Sequence, residues 1–246
     1  PDWYRGVEYT KEQERGYASN EDLYVPGYFE VDIKKGESVV FSASTSPCKT
    51  GGLKRLFQAE ADERSPRDNF FHCLVNAAHQ FHKRTSKDER YLLAGYPWFK
   101  CRARDTFIAL PGLTLSIEEQ DYFELVMKTA ERALREFMEG RPLTGKIVEI
   151  EQPDVMLWAI WAIQQYDKHA GREKCCSMYG KLLKDIVYFI LDGKHPNLEV
   201  KENGLVYTEG RDKAVTWMNS TVNGSPVVPR TGYIVEFNAL WYNALR

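Results

Sequence analysis

The chain of 246 residues carries a net charge of −2 with both signs interspersed, which excludes the basic surface that nucleic acid or an anionic membrane demands. No run of 18 apolar residues occurs, so no membrane span is expected, and 43% hydrophobic content suits a globular protein with a sizeable core. Five cysteines, an odd number with no CxxC pair, point to free thiols in a reducing, cytoplasmic compartment and away from a disulfide framework or zinc site.

Residues 1–45 read as β and turn. The stretch 28–33 alternates, Lys34-Lys35-Gly36 turns, and 37–43 runs on as a second strand. Two strands and a tail cannot form a stable sheet alone. This part is therefore expected to be the tail of an N-terminal β-domain or a β extension, and the chain to be a piece of a longer one. Residues 46–246 form the second predicted domain, where the period becomes helical. Helices are predicted at 53–62, at 67–83 after Ser65-Pro66, and at 104–115. Ser116-Ile-Glu-Glu119 has the capping-box pattern for a long helix over 117–139, ended by Gly140. Helices at 153–169 and 173–192 follow, stopped by Gly171 and Gly193. Asn203-Gly204 predicts a two-residue hairpin turn within 197–208. A Gly/Pro-rich loop covers 223–232, and a last helix starts near Val235.

Three places mix aromatic, cationic and carboxylate groups. The segment 94–112, punctuated by Gly95, Pro97, Pro111 and Gly112, crowds Trp98, Phe99, Arg102, Arg104 and Asp105 together. Aromatic faces stack on the C–H face of a sugar ring, and an Arg/Asp pair grips adjacent hydroxyls. Packing aromatics and a helix cap are the plainer reading of the same residues. Asp154 and Trp158, one helical turn apart, either line a cleft at a helix start or serve the dipole and the core. Thr216-Trp-Met-Asn219, Arg230 and Glu236 repeat the mixture. His72, His79 and His82 share one helical face and read as a half-exposed structural set, so no metal is expected.

Two of these stretches resemble signatures of one family. Residues 94–112 are similar to the AGYPWF…GRDTF…LPG segment of glycogen debranching enzymes, and 216–245 to their TWMD…PR.G..VE..ALWYNAL segment. Residues 22–30 resemble the close of the β-rich domain that precedes their glucosidase domain. The resemblance implies a mainly α fold: an incomplete (α/α)6 toroid of about seven helices, preceded by a short β segment and containing a β-hairpin. It implies exo-acting, inverting hydrolysis of the α-1,6-linked glucose at a branch of glycogen or another branched α-glucan, with no metal or other cofactor. By position, Arg104 and Asp105 would hold hydroxyls of the terminal glucose, with Trp98 and Phe99 beside it. Trp217, Arg230 and Glu236 would bind substrate or support the site. Two departures stand out. Asn219 occupies the position where the family has an Asp, taken as the general acid, which leaves Glu209, Asp212 or Glu236 as substitutes. Lys100-Cys-Arg-Ala103 replaces the usual residues of the first signature. The general base is expected beyond Arg246, so the fragment is expected to be inactive and to self-associate through uncovered helix faces. A non-catalytic glucan-binding homologue and a different inverting α-glucosidase of the same barrel class are the alternatives.

Overall fold

A computed structural model describes residues 1–47, 49–96 and 99–246, and divides the chain into two units, Pro1–Arg64 and Ser65–Arg246. The first unit is built on an antiparallel pair, β1 (Asp2–Glu8) and β2 (Asn20–Val25), with Trp3 opposite Tyr24 and their rings 5.2 Å apart. The register slips between Tyr4 and Val7, where Gly6 takes φ 64° and its N–H donates to Asp22 at 2.8 Å. A short helix α1 (Thr10–Glu14) lies between the strands, and α2 (Leu53–Asp62) follows over the span its periodicity predicts. None of the described residues of this unit is buried, so it has no core of its own.

The alternation at 28–33 and 37–43 predicts strands, and the structure has none there. Only the intervening turn forms, with the Glu37 N–H donating to the Lys34 carbonyl at 3.0 Å. The side chains still meet, with the Phe29 and Phe41 rings 5.1 Å apart, but the backbones are not joined in a ladder.

The second unit holds the core. Its elements are α3 (Phe70–Phe81), the hairpin β3 (His82–Arg84) and β4 (Arg90–Leu92), β5 (Cys101–Arg102), α4 (Ala103–Leu113), α5 (Gln120–Met138), β6 (Ile147–Val148), α6 (Val155–Ala170), α7 (Arg172–Leu191), β7 (Glu199–Val200), β8 (Val206–Tyr207), β9 (Thr221–Val222), β10 (Ser225–Pro226) and α8 (Val235–Leu245). The α6 helix is central. It buries Val155, Met156, Leu157, Ala159, Ile160, Ala162, Ile163 and Tyr166, more than one stripe's worth, and α4, α7 and α8 pack around it. The fold is mainly α, as expected, with seven α-helices from Leu53 onward among the described residues.

Two local expectations are corrected. The capping box does not form: residues Leu115–Ile117 make a 3-10 turn, α5 starts at Gln120, and its N-cap Glu119 makes no side-chain cap bond. The 197–208 hairpin does form, but its tight turn runs Lys201–Gly204, the Gly204 N–H donating to the Lys201 carbonyl at 2.8 Å, with Gly204 at φ 79°. Asn203-Gly204 thus ends a longer loop in which glycine supplies the left-handed residue.

The hairpin is tied to the last helix by side chains that imitate a strand. Asn238 of α8 accepts from the Val206 N–H at 2.9 Å and donates to its carbonyl at 3.0 Å. Trp241 donates its indole N–H to the Gly204 carbonyl at 3.1 Å.

Candidate active site

The two-residue parallel pair β5–β6 sets the geometry. Cys101 lies opposite Ile147 and Arg102 opposite Val148, and each strand leads toward a helix start. Arg104 sits in the first turn of α4 and Asp154 caps α6, so the pairing brings together residues 50 positions apart. Arg104 Nε and Nη2 donate to the two Asp154 oxygens at 2.7 and 2.8 Å. This is the bidentate fork that guanidinium and carboxylate planes favour. Trp158, one turn along α6, donates its indole N–H to Asp154 Oδ2 at 3.2 Å. Asp154 makes no cap bond to its own helix, because its oxygens are turned to Arg104 and Trp158.

Arg104 also points Nη2 at the Val215 carbonyl, 3.5 Å away. That contact joins the pair to a second wall. Val215 and Thr216 are buried, and Thr216 Oγ1 accepts the Met218 N–H at 3.2 Å, turning the chain so that Trp217 is 64% exposed. Glu236, in the first turn of α8, takes a bidentate grip from Arg230. Arg230 chiefly, with the Trp217 indole adding to it, holds the Glu236 carboxyl below its usual range, against the opposing pull of burial. Glu209 is also lowered, because the Arg211 N–H and the Thr231 hydroxyl donate to Oε1 at 3.0 and 2.9 Å. Thr208 and Gly232 close this wall by exchanging both backbone bonds, at 3.1 and 2.9 Å.

Gly210 lets the two chain segments of this wall approach. A Cβ there would stand 2.1 Å from the Arg230 carbonyl oxygen and 2.5 Å from Val215 Cγ2. Only a residue without a side chain fits, and the contact fixes the backbone from which Arg230 reaches Glu236.

The profile of the amylo-alpha-1,6-glucosidase family matches residues 75–246, and that of the glycogen debranching enzyme N-terminal domain matches residues 1–40. The chain belongs to the amylo-alpha-1,6-glucosidase family. Comparison with curated proteins and with solved structures returned no match.

Within this glucosidase-family domain the expected site residues fall into groups. Arg104, Asp154 and Trp158 form one hydrogen-bonded set, and Arg230 with Glu236 another, with Trp217 near Glu236; Arg104 reaches the segment that leads to Trp217 at the Val215 carbonyl. Asp105 is exposed, and the partner of Arg104 is Asp154. Phe99 lies apart from that set, its ring under the Arg102 guanidinium at 4.8 Å, while Arg102 pairs with Glu149 at 3.2 Å. Trp98 lies outside the described residues. Asn219 is exposed after the Thr216–Met218 turn. Of its substitutes, Glu209 and Glu236 are both held on the ionised side, which suits a base or a sugar-hydroxyl acceptor better than a proton donor. Sequence reasoning misses the Arg104–Asp154 pairing and the Gly210 contact. The first has no local signal, and the second shows only as a glycine beside a glutamate.

Proposed function

We propose that this chain forms part of an exo-acting glucosidase that hydrolyses the α-1,6-linked glucose at branch points of glycogen, with inversion. The observation that carries the reading is the family match over 75–246, joined to the sets Arg104–Asp154–Trp158 and Trp217–Glu236–Arg230. Exposed Trp217 offers a stacking face near the Glu236 carboxylate, the kind of pairing a sugar ring uses. In this reading Asp154 positions Arg104 and Trp158, and Glu236 with Arg230 meets sugar hydroxyls. Inversion needs an acid and a base about 6.5–9.5 Å apart with water between. The family's acid position holds Asn219, which cannot donate a proton, so in this reading the acid role falls to a weaker substitute among Glu209, Asp212 and Glu236, and the base lies on helices of the (α/α)6 toroid that this chain would share. The test is glucose release from phosphorylase limit dextrin by the full-length enzyme, with the product anomer followed by NMR. Release of β-glucose is expected. No release, or α-glucose, overturns the reading.

Asn219 supports a second reading, a glucan-binding homologue without turnover, because a carboxamide cannot donate a proton as a carboxylic acid does. Asn219→Asp in the full-length enzyme distinguishes them. A gain on the order of 10²–10⁴ in kcat, the usual worth of a general acid, is expected of a glucosidase. Unchanged turnover with intact maltooligosaccharide affinity selects the binding protein.

A further inference from the structure

We infer that His79, His82 and Glu119 form a binding site for one divalent transition-metal cation, of which zinc is the representative. The sequence gives no such expectation, because the carboxylate comes from a different helix. His79 lies in the last turn of α3, His82 caps that helix and opens β3, and Glu119 is the N-cap of α5. Their ligand atoms all lie within 4.8 Å of one another. His79 Nε2 is 2.6 Å from Glu119 Oε1, and His82 Nδ1 is 3.6 Å from Glu119 Oε2. Two ligands on a tetrahedral zinc at about 2.0–2.1 Å stand roughly 3.3 Å apart, so small rotations convert these separations into a coordination shell.

The tautomer of His82 is fixed by its surroundings. Its Nε2 is 2.8 Å from the Leu113 carbonyl oxygen, which can only accept, so Nε2 carries the proton. Nδ1 is then the nitrogen offered to Glu119. One ring N–H held by a carbonyl while the other nitrogen faces outward is how proteins orient metal-binding histidines. In the neutral ring, without a cation, a nitrogen lone pair and a carboxylate oxygen face each other with nothing between. Tyr122 stacks on the His82 ring at 3.9 Å and 15°, which keeps it in this pose.

The backbone also carries a cost at this place. Glu118, immediately before the ligand, adopts φ 64° in the left-handed region, a strained conformation for a glutamate. Glu119 makes no side-chain cap bond to its own helix and points its carboxylate at the histidines. The His82 side chain is 10% exposed and the other two about one-third, so water can fill a fourth position. Two imidazoles and one carboxylate favour zinc, cobalt, nickel or copper over magnesium or calcium. The cation would clamp the end of α3 to the start of α5. None of the three residues belongs to the proposed sugar site, so this inference stands apart from that function.

The test uses the whole chain, freed of metal by chelator, with exposed Cys73 and Cys176 alkylated. Zn²⁺ is titrated by calorimetry and Co²⁺ by visible absorption. Expected are one equivalent per chain, the intense bands of four-coordinate cobalt, and a higher melting temperature with Zn²⁺. His79→Ala and Glu119→Gln should each weaken binding more than about 100-fold, beyond the ~10–100-fold that outer-shell changes cost. His72→Ala should change nothing, since His72 pairs with Asp68 at 2.6 Å. If His79→Ala loses its circular dichroism, Glu119→Gln decides, because it keeps the size of the side chain and one oxygen. Absence of one-equivalent binding, a weak octahedral cobalt spectrum, or tight Zn²⁺ binding retained by Glu119→Gln overturns the inference.

Discussion

Asp154→Ala probes the pair that joins α4 to α6. The Arg104 and Asp154 side chains are 8% and 3% exposed, so water screens little of their interaction. The substitution strips Arg104 of both short bonds and leaves the Trp158 indole without its acceptor. Removing one partner of a buried pair costs about 3–5 kcal/mol, because the other charge stays buried and uncompensated. At roughly 2–4 °C per kcal/mol for a unit of this size, the melting temperature should fall by about 10 °C. The informative control is Arg104→Met with Asp154→Leu, which removes both charges and fills the space. That double variant should recover most of the stability, giving a coupling of at least about 2 kcal/mol. Urea unfolding followed by circular dichroism of the wild type, Arg104→Met, Asp154→Leu and the double variant measures the four corners of the cycle, with Asp154→Ala beside them. The reasoning is refuted if Asp154→Ala costs under about 1 kcal/mol, or if the double variant loses the sum of the single losses.

Gly210→Ala should destabilise by about 1–3 kcal/mol, since the new methyl would strike the Arg230 carbonyl and must displace backbone. Gly180→Ala, inside α7 with nothing near its added methyl, should instead stabilise by about 0.5–1 kcal/mol, and urea midpoints report both. His195 makes a pH prediction. Burial pushes its imidazole down to about 4 from 6.5, with Nε2 unpartnered among the described residues and the ring in edge contact with Phe137 and Phe189. The unfolded chain binds the proton near 6.5 and the folded chain resists until about 4, so this stability is present above 6.5 and is lost as pH falls to about 4. The loss is on the order of 3 kcal/mol. His195→Asn keeps an acceptor for the Asn197 N–H, bonded at 3.1 Å in the native protein, and should flatten the stability profile between about pH 6.5 and 4. Parallel slopes for the two proteins would contradict it.

Helices were legible where a periodic face coincided with a local stop. Leu53–Asp62 forms over its predicted span, and α6, α7 and α8 start or end within two residues of expectation. Strands were legible where a turn signal joined them, as in the 197–208 hairpin, and in the first unit only as composition. The alternating residues at 28–33 and 37–43 carry the right side chains, but a ladder needs a partner, and pairing falls instead to Asp2–Glu8 and Asn20–Val25 across a short helix. The first of those strands is interrupted by Gly6, which breaks the alternation that periodicity detects.

The site divides along the same line. Residue types are local, and the aromatic and charged residues of the two signature stretches could be named from them. Partners are not local. Arg104 stands next to Asp105 in sequence, yet its fork is filled by Asp154, which the β5–β6 pair delivers from 50 residues away. Glu119 makes the same point from the other side. Ser116 to Glu119 spells a helix start, but the fold places Ser116 in a 3-10 turn and directs the Glu119 carboxylate to His79. Asp154 and Glu119 are both helix N-caps without a side-chain cap bond, and each is bonded to a group on another element. An aspartate at an N-cap has a local partner within reach that stabilises the helix by about 1 kcal/mol. When it faces elsewhere, the distant contact must more than offset that loss. In this chain Asp154 faces Arg104 from 50 residues away and Glu119 faces His79 from 40, so at both helix starts the distant contact, not the local one, sets where the carboxylate points.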